Sequence, residues 1–556
     1  MLNNKKILFA GWGAENKSDF YAYQMWGYLL KKIFPKMISF DTKENYFRYG
    51  KEAMNKNFLR IIEKEKPDCV IMIFFNDEFY LETLDKLNKI SPDIKRVLIS
   101  CDEDLKYDNF YKFMSLFFDL KLISQKQVFS KYQKDNLKNL FFHMDFNTYG
   151  LKPLSIKKRY DVTFIGRPKA DRAEIMEFLA NNNINIALFG WEWNNYPKLK
   201  KFYKGFLNAE DYNQIINESK INLCLTKAGY KEEKGLYNLK AKAFEVAQTS
   251  SFQLIEYFPA LLEFFEKDKE VGTFRTKEEL LKKVKYYLKN EKIREKIAEN
   301  SHKKVIREFN REKHLKKIFT DFFTKNYPKQ SLPEINKKII YLSKKEINLD
   351  GNKLKEKIKD YDYICFKNNA KISKYRDYIQ SYSLEKSEAK ISCSDYYVYS
   401  RKLKEYMLFR GDWAFRRTGE EFYNLLDISQ LMVTKNYFLE NIKSFKNFFK
   451  NKKFNLMNKE NTIFISIPLI QIKKLRTISY ENMKKAFEMR FIDRLFSATY
   501  QKRLVLSRYP YQLIIASLLG KPFILRYLTE SIFNKNNWDK LILNKKYIGK
   551  LFSRLT

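Results

Sequence analysis

The side chains best suited to chemistry lie in two stretches of the second quarter of the chain. The first, YDVTFIGRPKADR (Tyr160 to Arg172), is an apolar strand ending at Gly166, then a basic loop that opens a helix. A helix N-terminus offers unpaired N–H groups and the positive end of its dipole, so it suits a diphosphate. Gly166 lets the backbone approach closely. Arg167, Lys169 and Arg172 add positive charge that can neutralise a departing nucleotide diphosphate. The second stretch, Lys234 to Thr273, holds a helix-period segment ending in Phe244-Glu245, which passes through Ser250-Ser251 into the strand Phe252 to Ile255. A carboxylate such as Glu245 can accept paired hydrogen bonds from vicinal ribose hydroxyls. Taken singly, each feature has an ordinary structural meaning: a turn glycine, a solvated glutamate. Together they outline a nucleotide-sugar site.

Such ligands bind beyond the carboxyl ends of strands in open α/β sheets, so the surrounding elements must supply those ends. Residues 1 to about 150 alternate strand-like runs with polar helix-period segments. The runs are Ile7 to Ala10, Met37 to Phe40, Cys69 to Phe75, Val97 to Cys101, Leu120 to Ser124 and Leu140 to Met144. After a linker at Lys152-Pro153 the alternation restarts, with Val162 to Ile165, Ile184 to Phe189, Ile221 to Thr226, Phe252 to Ile255 and Val271 to Phe274. Three helix-like stretches close it: Lys277 to Asn290, Glu291 to Phe309 and Arg311 to Lys325. This pattern predicts an α/β fold of two doubly wound, Rossmann-like domains, residues 1–153 and 154–327, facing a cleft. Beyond Pro328 and Pro333, the runs Ile339 to Leu342, Tyr363 to Phe366, Ile391 to Val398 and Thr462 to Ile467 predict a further α/β domain over 334–475. Residues 476–556 read as mostly helical.

At 556 residues the chain exceeds one ordinary core. No run reaches the apolar length of a spanning helix, and the N-terminus enters a strand directly, so a cytoplasmic protein is expected. The five cysteines are far apart and sit in apolar runs, which predicts buried free thiols. With three histidines and no Cys/His ligand spacing, no metal site is expected. The net charge of +40 fits an anionic membrane surface or an A/T-rich genome's lysine usage. It is spread over many helices, which argues against nucleic acid.

At Tyr160 to Arg172 and Leu236 to Leu254 the sequence resembles the CgeB-like (spore maturation protein) glycosyltransferases, of the retaining GT-B group. INESKINLCLT (Ile216 to Thr226) and the tail Lys269 to Val305 extend the resemblance, and LISCDEDLKYDNF (Leu98 to Phe110) adds an acidic pair after a strand. The resemblance covers roughly residues 1–325. It implies that Arg172 and Lys240 hold the donor diphosphate, Glu245 the ribose, and that Asp102 and Asp104 lie on the acceptor side. Asn238, Ser250 and Ser251 fall within the donor motif and are expected at the donor. The chain departs from the family in carrying Lys240 and Lys242 where an arginine often precedes the Phe-Glu pair, and Ser250-Ser251 in place of small glycines. Lysine still neutralises phosphate, as a point charge. Tyr361 to Gln380 resembles the strand and Asp-x-Asp region of family 2 GT-A transferases. Lys367-Asn368-Asn369 stands where the carboxylates would be, which implies a degenerate domain.

The expectation is a metal-independent, retaining transfer from a nucleotide sugar to a glycan, cell-surface, lipid-linked or protein acceptor, with no cofactor. If the reaction inverts, a cleft base is needed, and Asp102 or Asp104 is first choice, with His143 as a further candidate. Two rival readings stand beside it: a non-catalytic glycosyltransferase-like assembly or coat protein, and a GT-B nucleotide-sugar epimerase. Donor binding separates the first rival from a transferase, and acceptor dependence separates the second.

Overall fold

The protein was analysed as a computed structural model. It describes residues 1–11, 14, 23–42, 45, 49, 51–74, 78–143, 150–168, 171–190, 192–207, 209–227, 237, 240–367, 370–400, 405–409, 426–451, 456–458, 460–472 and 492–493. Lys169, Asn238, Asn368-Asn369 and the helical reading of 476–556 fall outside the described residues, apart from the short strand at 492–493.

The first domain is a six-stranded parallel sheet: β1 (Ile7–Gly11), β2 (Met37–Asp41), β3 (Cys69–Ile73), β4 (Lys95–Ile99), β5 (Leu120–Ile123) and β6 (Leu140–Phe142). Its order is β2-β1-β3-β4-β5-β6. β1 and β3 are buried at every position, as continuous apolar strands covered on both faces must be. The second domain contains β7 (Tyr160–Ile165), β8 (Ile186–Phe189), β9 (Tyr203–Gly205), β10 (Ser219–Cys224), β11 (Gln253–Glu256) and β12 (Gly272–Phe274). They pair in parallel in the order β12-β11-β10-β7-β8-β9. Each order reverses direction once, at β1/β3 in the first sheet and at β7/β10 in the second. Those switch points are where ligands enter doubly wound sheets. Two Rossmann-like domains in tandem are the GT-B architecture. β9, only three residues long, carried no apolar run to announce it.

The three closing helices form as Lys277–Lys289, Glu291–Glu308 and Arg311–Thr324. The last of them crosses back. Its Leu315, Ile318, Phe319 and Phe322 join the first domain's core of Ile7, Phe9, Leu29 and Leu30. Arg311 donates to the Met25 carbonyl at 3.1 Å and stacks on Trp26, and Phe34 meets Phe319 edge-on at 5.1 Å. This helix fastens the second domain to the first.

The third sheet is mixed. β13 (Ile339–Leu342), β14 (Tyr363–Phe366), β18 (Leu431–Thr434), β16 (Ile391–Ser400), β17 (Glu405–Phe409) and β20 (Ile492–Asp493) run in that order. β15 (Ala370–Ile372) pairs with β19 (Thr462–Ile472), which also pairs with β16. β20 carries the sheet beyond residue 475. Lys367, following β14, stands 4.0 Å from Glu346. This sheet shares a core with the first domain, where Tyr375, Ile379, Tyr382, Ile465, Ile467 and Leu469 pack against Phe110, Phe113 and Phe117. Polar contacts seal the junction. Ser373 donates to Glu82 at 2.6 Å, Lys374 pairs with Asp85 at 2.9 Å, and Tyr382 donates to the Asp135 carbonyl at 3.2 Å.

All five cysteines are free, four of them buried and Cys101 half-buried. Among the described residues no helix is long and apolar enough to cross a membrane.

Candidate active site

The C-terminal ends of β7, β10 and β11 are bound into one polar floor. Arg172, the first residue of the helix Arg172–Asn181, donates to the carbonyls of Arg167 at 3.2 Å, Lys227 at 3.3 Å and Leu225 at 3.5 Å. Its guanidinium thus joins the turn after β7 to the end of β10, and burial pushes its pKa down. Lys227 bonds to Asp171 and pairs with Glu256 Oε1 at 3.2 Å. Glu256 Oε2 in turn accepts from the backbone N–H groups of Thr226 at 3.0 Å and Lys227 at 3.1 Å. The two carboxylates hold Lys227 firmly charged, raising its pKa despite the cost of burial. Asp171 therefore stands at the head of the Arg172 helix, already paired with a lysine.

A Cβ at Gly166 would lie 3.0 Å from the ring of Phe164, and the turn there is crowded further by the next strand. Gly190, at φ 118°, comes so close that a Cβ there would lie 2.6 Å from the Gly166 carbonyl oxygen. Trp193 donates its indole N–H to that same oxygen at 2.7 Å. Gly190 is the glycine that this close approach requires, on the side of β7 away from the β7/β10 switch. Arg167 lies 3.8 Å from Glu192.

The second cationic layer comes from the helix Ala241–Gln248, whose N-cap is Lys240. Lys242 reaches back between β7 and β10 to the carbonyls of Leu223 at 3.1 Å and Ile165 at 3.4 Å. Its Nζ lies 5.1 Å over the Phe164 ring, and burial pushes its pKa down to about 8. Lys240 faces the other domain. Burial lowers its pKa most, Asp102 and Asp104 from the first domain raise it, and Arg172 lowers it again. Ala241 packs with Cys101 on the first domain's core, and Lys126 pairs with Glu263 at 3.1 Å across the same seam. Asp102 and Asp104 of the first domain and Arg172 of the second thus all lie within electrostatic reach of Lys240.

Glu245 lies one turn further along the Ala241 helix, buried, with Tyr212 donating to its Oε2 at 2.6 Å. Ser250 and Ser251 are not brought to this site. Ser250, at φ 52°, and Ser251 close the helix through N–H bonds to Ala247 at 3.1 Å and Val246 at 3.4 Å. This is a Schellman cap, at the N-terminal edge of β11 and away from the strand ends. The small residues are there because the chain must reverse into a strand. His143 is buried, with Nε2 2.9 Å from the Ser100 carbonyl and its ring edge-on to Trp26 at 4.9 Å, which is a structural placement.

The sequence reading missed Lys227, Glu256 and Tyr212. Glu256 could have been flagged, since LIE ends a strand with a carboxylate beside the expected site. Lys227 and Tyr212 carry no local signal, because only packing brings them to their partners.

Residues 169–320, most of the second domain, match the family described as glycosyl transferase-like. No curated protein matches the chain. Among solved structures, the sucrose-phosphate synthase of Thermosynechococcus elongatus is similar at 9% identity and TM-score 0.42, covering 57% of this chain and 99% of its own. HepE of Anabaena, solved with UDP and glucose, is similar at 12% identity and TM-score 0.41, covering 58% and 99%. A glycosyltransferase from Rickettsia africae is similar at 11% identity and TM-score 0.38, covering 58% and 100%.

Proposed function

We propose that this chain is a glycosyltransferase that moves a sugar from a nucleotide-sugar donor to a glycan, lipid-linked or protein acceptor. One observation carries the reading. Asp102 and Asp104 of the first domain act electrostatically on Lys240 of the second, which caps the helix whose Lys242 lines the switch point. The matched glycosyl transferase-like segment supports it, and the CgeB-like motifs fit the same reading.

The donor diphosphate is received at the head of the Ala241–Gln248 helix, where Lys240 stands at the N-cap and the dipole favours an anion. Arg172 adds charge from behind, its hydrogen bonds being committed to three carbonyls. Glu245, aimed by Tyr212, accepts from the ribose hydroxyls. As the bond from the anomeric carbon to the phosphate oxygen breaks, negative charge grows on the leaving diphosphate, and fixed cations stabilise it without a metal. The acceptor hydroxyl forms the new bond to that carbon. It attacks from the face that the leaving phosphate occupies, which gives retention, and its proton passes to the leaving phosphate oxygen. Asp102 and Asp104 orient the acceptor and keep Lys240 charged.

The test is calorimetry with UDP, GDP, ADP and CDP in EDTA, followed by anomeric NMR of the product. Binding of one nucleotide class, weakened in Glu245→Ala, supports the donor site. A retained anomer supports phosphate as proton acceptor, whereas inversion assigns the base to Asp102 or Asp104. The excess of positive charge suits contact with an anionic membrane. Salt-sensitive sedimentation with phosphatidylglycerol vesicles tests that contact, and no binding at low ionic strength ends it.

A further inference from the structure

Between Asp102 and Asp104 stands a carboxyl to which transfer assigns no task. Glu103 is fully buried, and both of its oxygens are engaged inside the first domain. Oε1 accepts from the Ser124 backbone N–H at 2.7 Å and from the Ser100 hydroxyl at 2.5 Å, while Oε2 accepts from the Ser124 hydroxyl. Ser100 follows β4 and Ser124 follows β5, so one side chain ties together the C-terminal ends of two adjacent strands. Immediately before it the backbone is left-handed, with Asp102 at φ 56° and ψ 39°. The Asp102 side chain does not cap the short helix Glu103–Lys106 that it starts. The turn is therefore held from inside, by Glu103.

We propose that Glu103 is a positioning residue for glycosyl transfer: its carboxyl fixes the turn that carries Asp102 and Asp104, and so sets where both stand relative to Lys240 in the other domain. The role rests on reading the cleft as a donor and acceptor site. A buried carboxyl is costly unless its hydrogen bonds are satisfied, and an apolar side chain would fill the same space without that cost. Burial pushes the Glu103 carboxyl up to about 7, against the lowering effect of its three donors. Ionised, it accepts all three bonds. Protonated, its O–H must displace one serine donor, and the turn loosens. The ionisable groups around it are the Cys101 thiol and the Tyr111 and Tyr132 hydroxyls, all pushed up and neutral near pH 7. Asp102 and Asp104 flank it on its own turn, and His143 meets the Ser100 carbonyl from β6.

The experiment follows nucleotide release from whichever of UDP-, GDP-, ADP- and CDP-glucose the wild type turns over fastest. Glu103→Gln, Ser124→Ala and the double variant are compared, with the affinity for the corresponding diphosphate measured in parallel. Both single variants should lower kcat about tenfold while KM and diphosphate affinity stay within about twofold, the split expected of a group acting only in the transition state. The double variant should be no slower than Glu103→Gln. Wild-type kcat should rise through pH 7, and that rise should be absent from Glu103→Gln. An unchanged kcat and pH profile in Glu103→Gln overturns the proposal and leaves the donor reading intact. Loss of diphosphate affinity in step with kcat overturns it too, since the turn would then serve the donor. If no diphosphate binds the wild type, the donor reading fails and this role goes with it. Should Glu103→Gln not fold, Ser124→Ala decides by the same criteria.

Discussion

Tyr212 donates its hydroxyl hydrogen to Glu245 Oε2 at 2.6 Å, so a carboxylate on one helix is aimed by a phenol on the helix two elements earlier. Tyr212→Phe leaves the carboxylate in place but frees its rotation. Affinity for the preferred nucleoside diphosphate should fall about five- to tenfold, roughly the 1–1.4 kcal/mol of a single hydrogen bond. Glu245→Ala should cost considerably more in the same titration. Equal affinity in Tyr212→Phe and wild type would show that Glu245 does not meet the ribose.

Lys242 should register nucleotide binding as a proton. Its pKa of about 8 is set by burial, so near pH 8 part of the population is neutral. A diphosphate arriving at the switch point favours the charged form, and binding should take up as much as about half a proton there. Calorimetry in buffers of different ionisation enthalpy reads this directly, and Lys242→Met should abolish the buffer dependence. In the unliganded chain the unfolded state holds the extra proton between pH 8 and the ordinary lysine range. This group's contribution to stability therefore rises with pH across that window.

Glu103 should have the opposite signature. Its folded pKa is raised, so the folded state binds more protons and stability is lost as pH climbs from the ordinary carboxyl range through about 7. Glu103→Gln keeps the shape and removes the titration. Its melting temperature should match the wild type near pH 4.5 and exceed it at pH 8, the stability difference there being on the order of 3 kcal/mol at most.

Gly190→Ala should destabilise by about 2–4 kcal/mol, since a Cβ would strike a backbone oxygen at a φ that side chains rarely adopt. Thermal unfolding tests it. Gly205, also at positive φ but with open space around it, is the control and should cost less when changed to alanine.

A chain ended at residue 330 should not behave as a free two-domain enzyme. It would expose Phe113, Phe117 and their neighbours, which the third sheet covers with Tyr375, Tyr382 and Ile467. Such a truncation should aggregate or bind a hydrophobic dye, and a monodisperse product without dye binding would show that the third domain is a detachable module.

The amino-acid sequence by itself determined every strand of the two parallel sheets except β9, because strands covered on two faces must be apolar throughout and announce themselves as runs. It also determined the three closing helices, through their 3.6-residue period, and the basic and acidic stretches at the β7 turn and beyond β4. Short strands such as β9, and β17, β18 and β20 of the mixed sheet, were not legible, because neighbouring strands define them more than their own residues do. Only the tertiary structure decided which charged residues meet. Arg172 was expected to face a phosphate and is committed to three carbonyls. Ser250 and Ser251 were expected at the donor and instead cap a helix at the opposite edge of the sheet. Glu103, between two expected acids, points inward because a left-handed turn at Asp102 reverses the face that follows. Sequence records which residues are charged, but the direction in which each charge points depends on backbone turns and on distant strands. Electrostatic contacts act over a few ångströms between elements that lie dozens or hundreds of residues apart, and no local pattern encodes that distance.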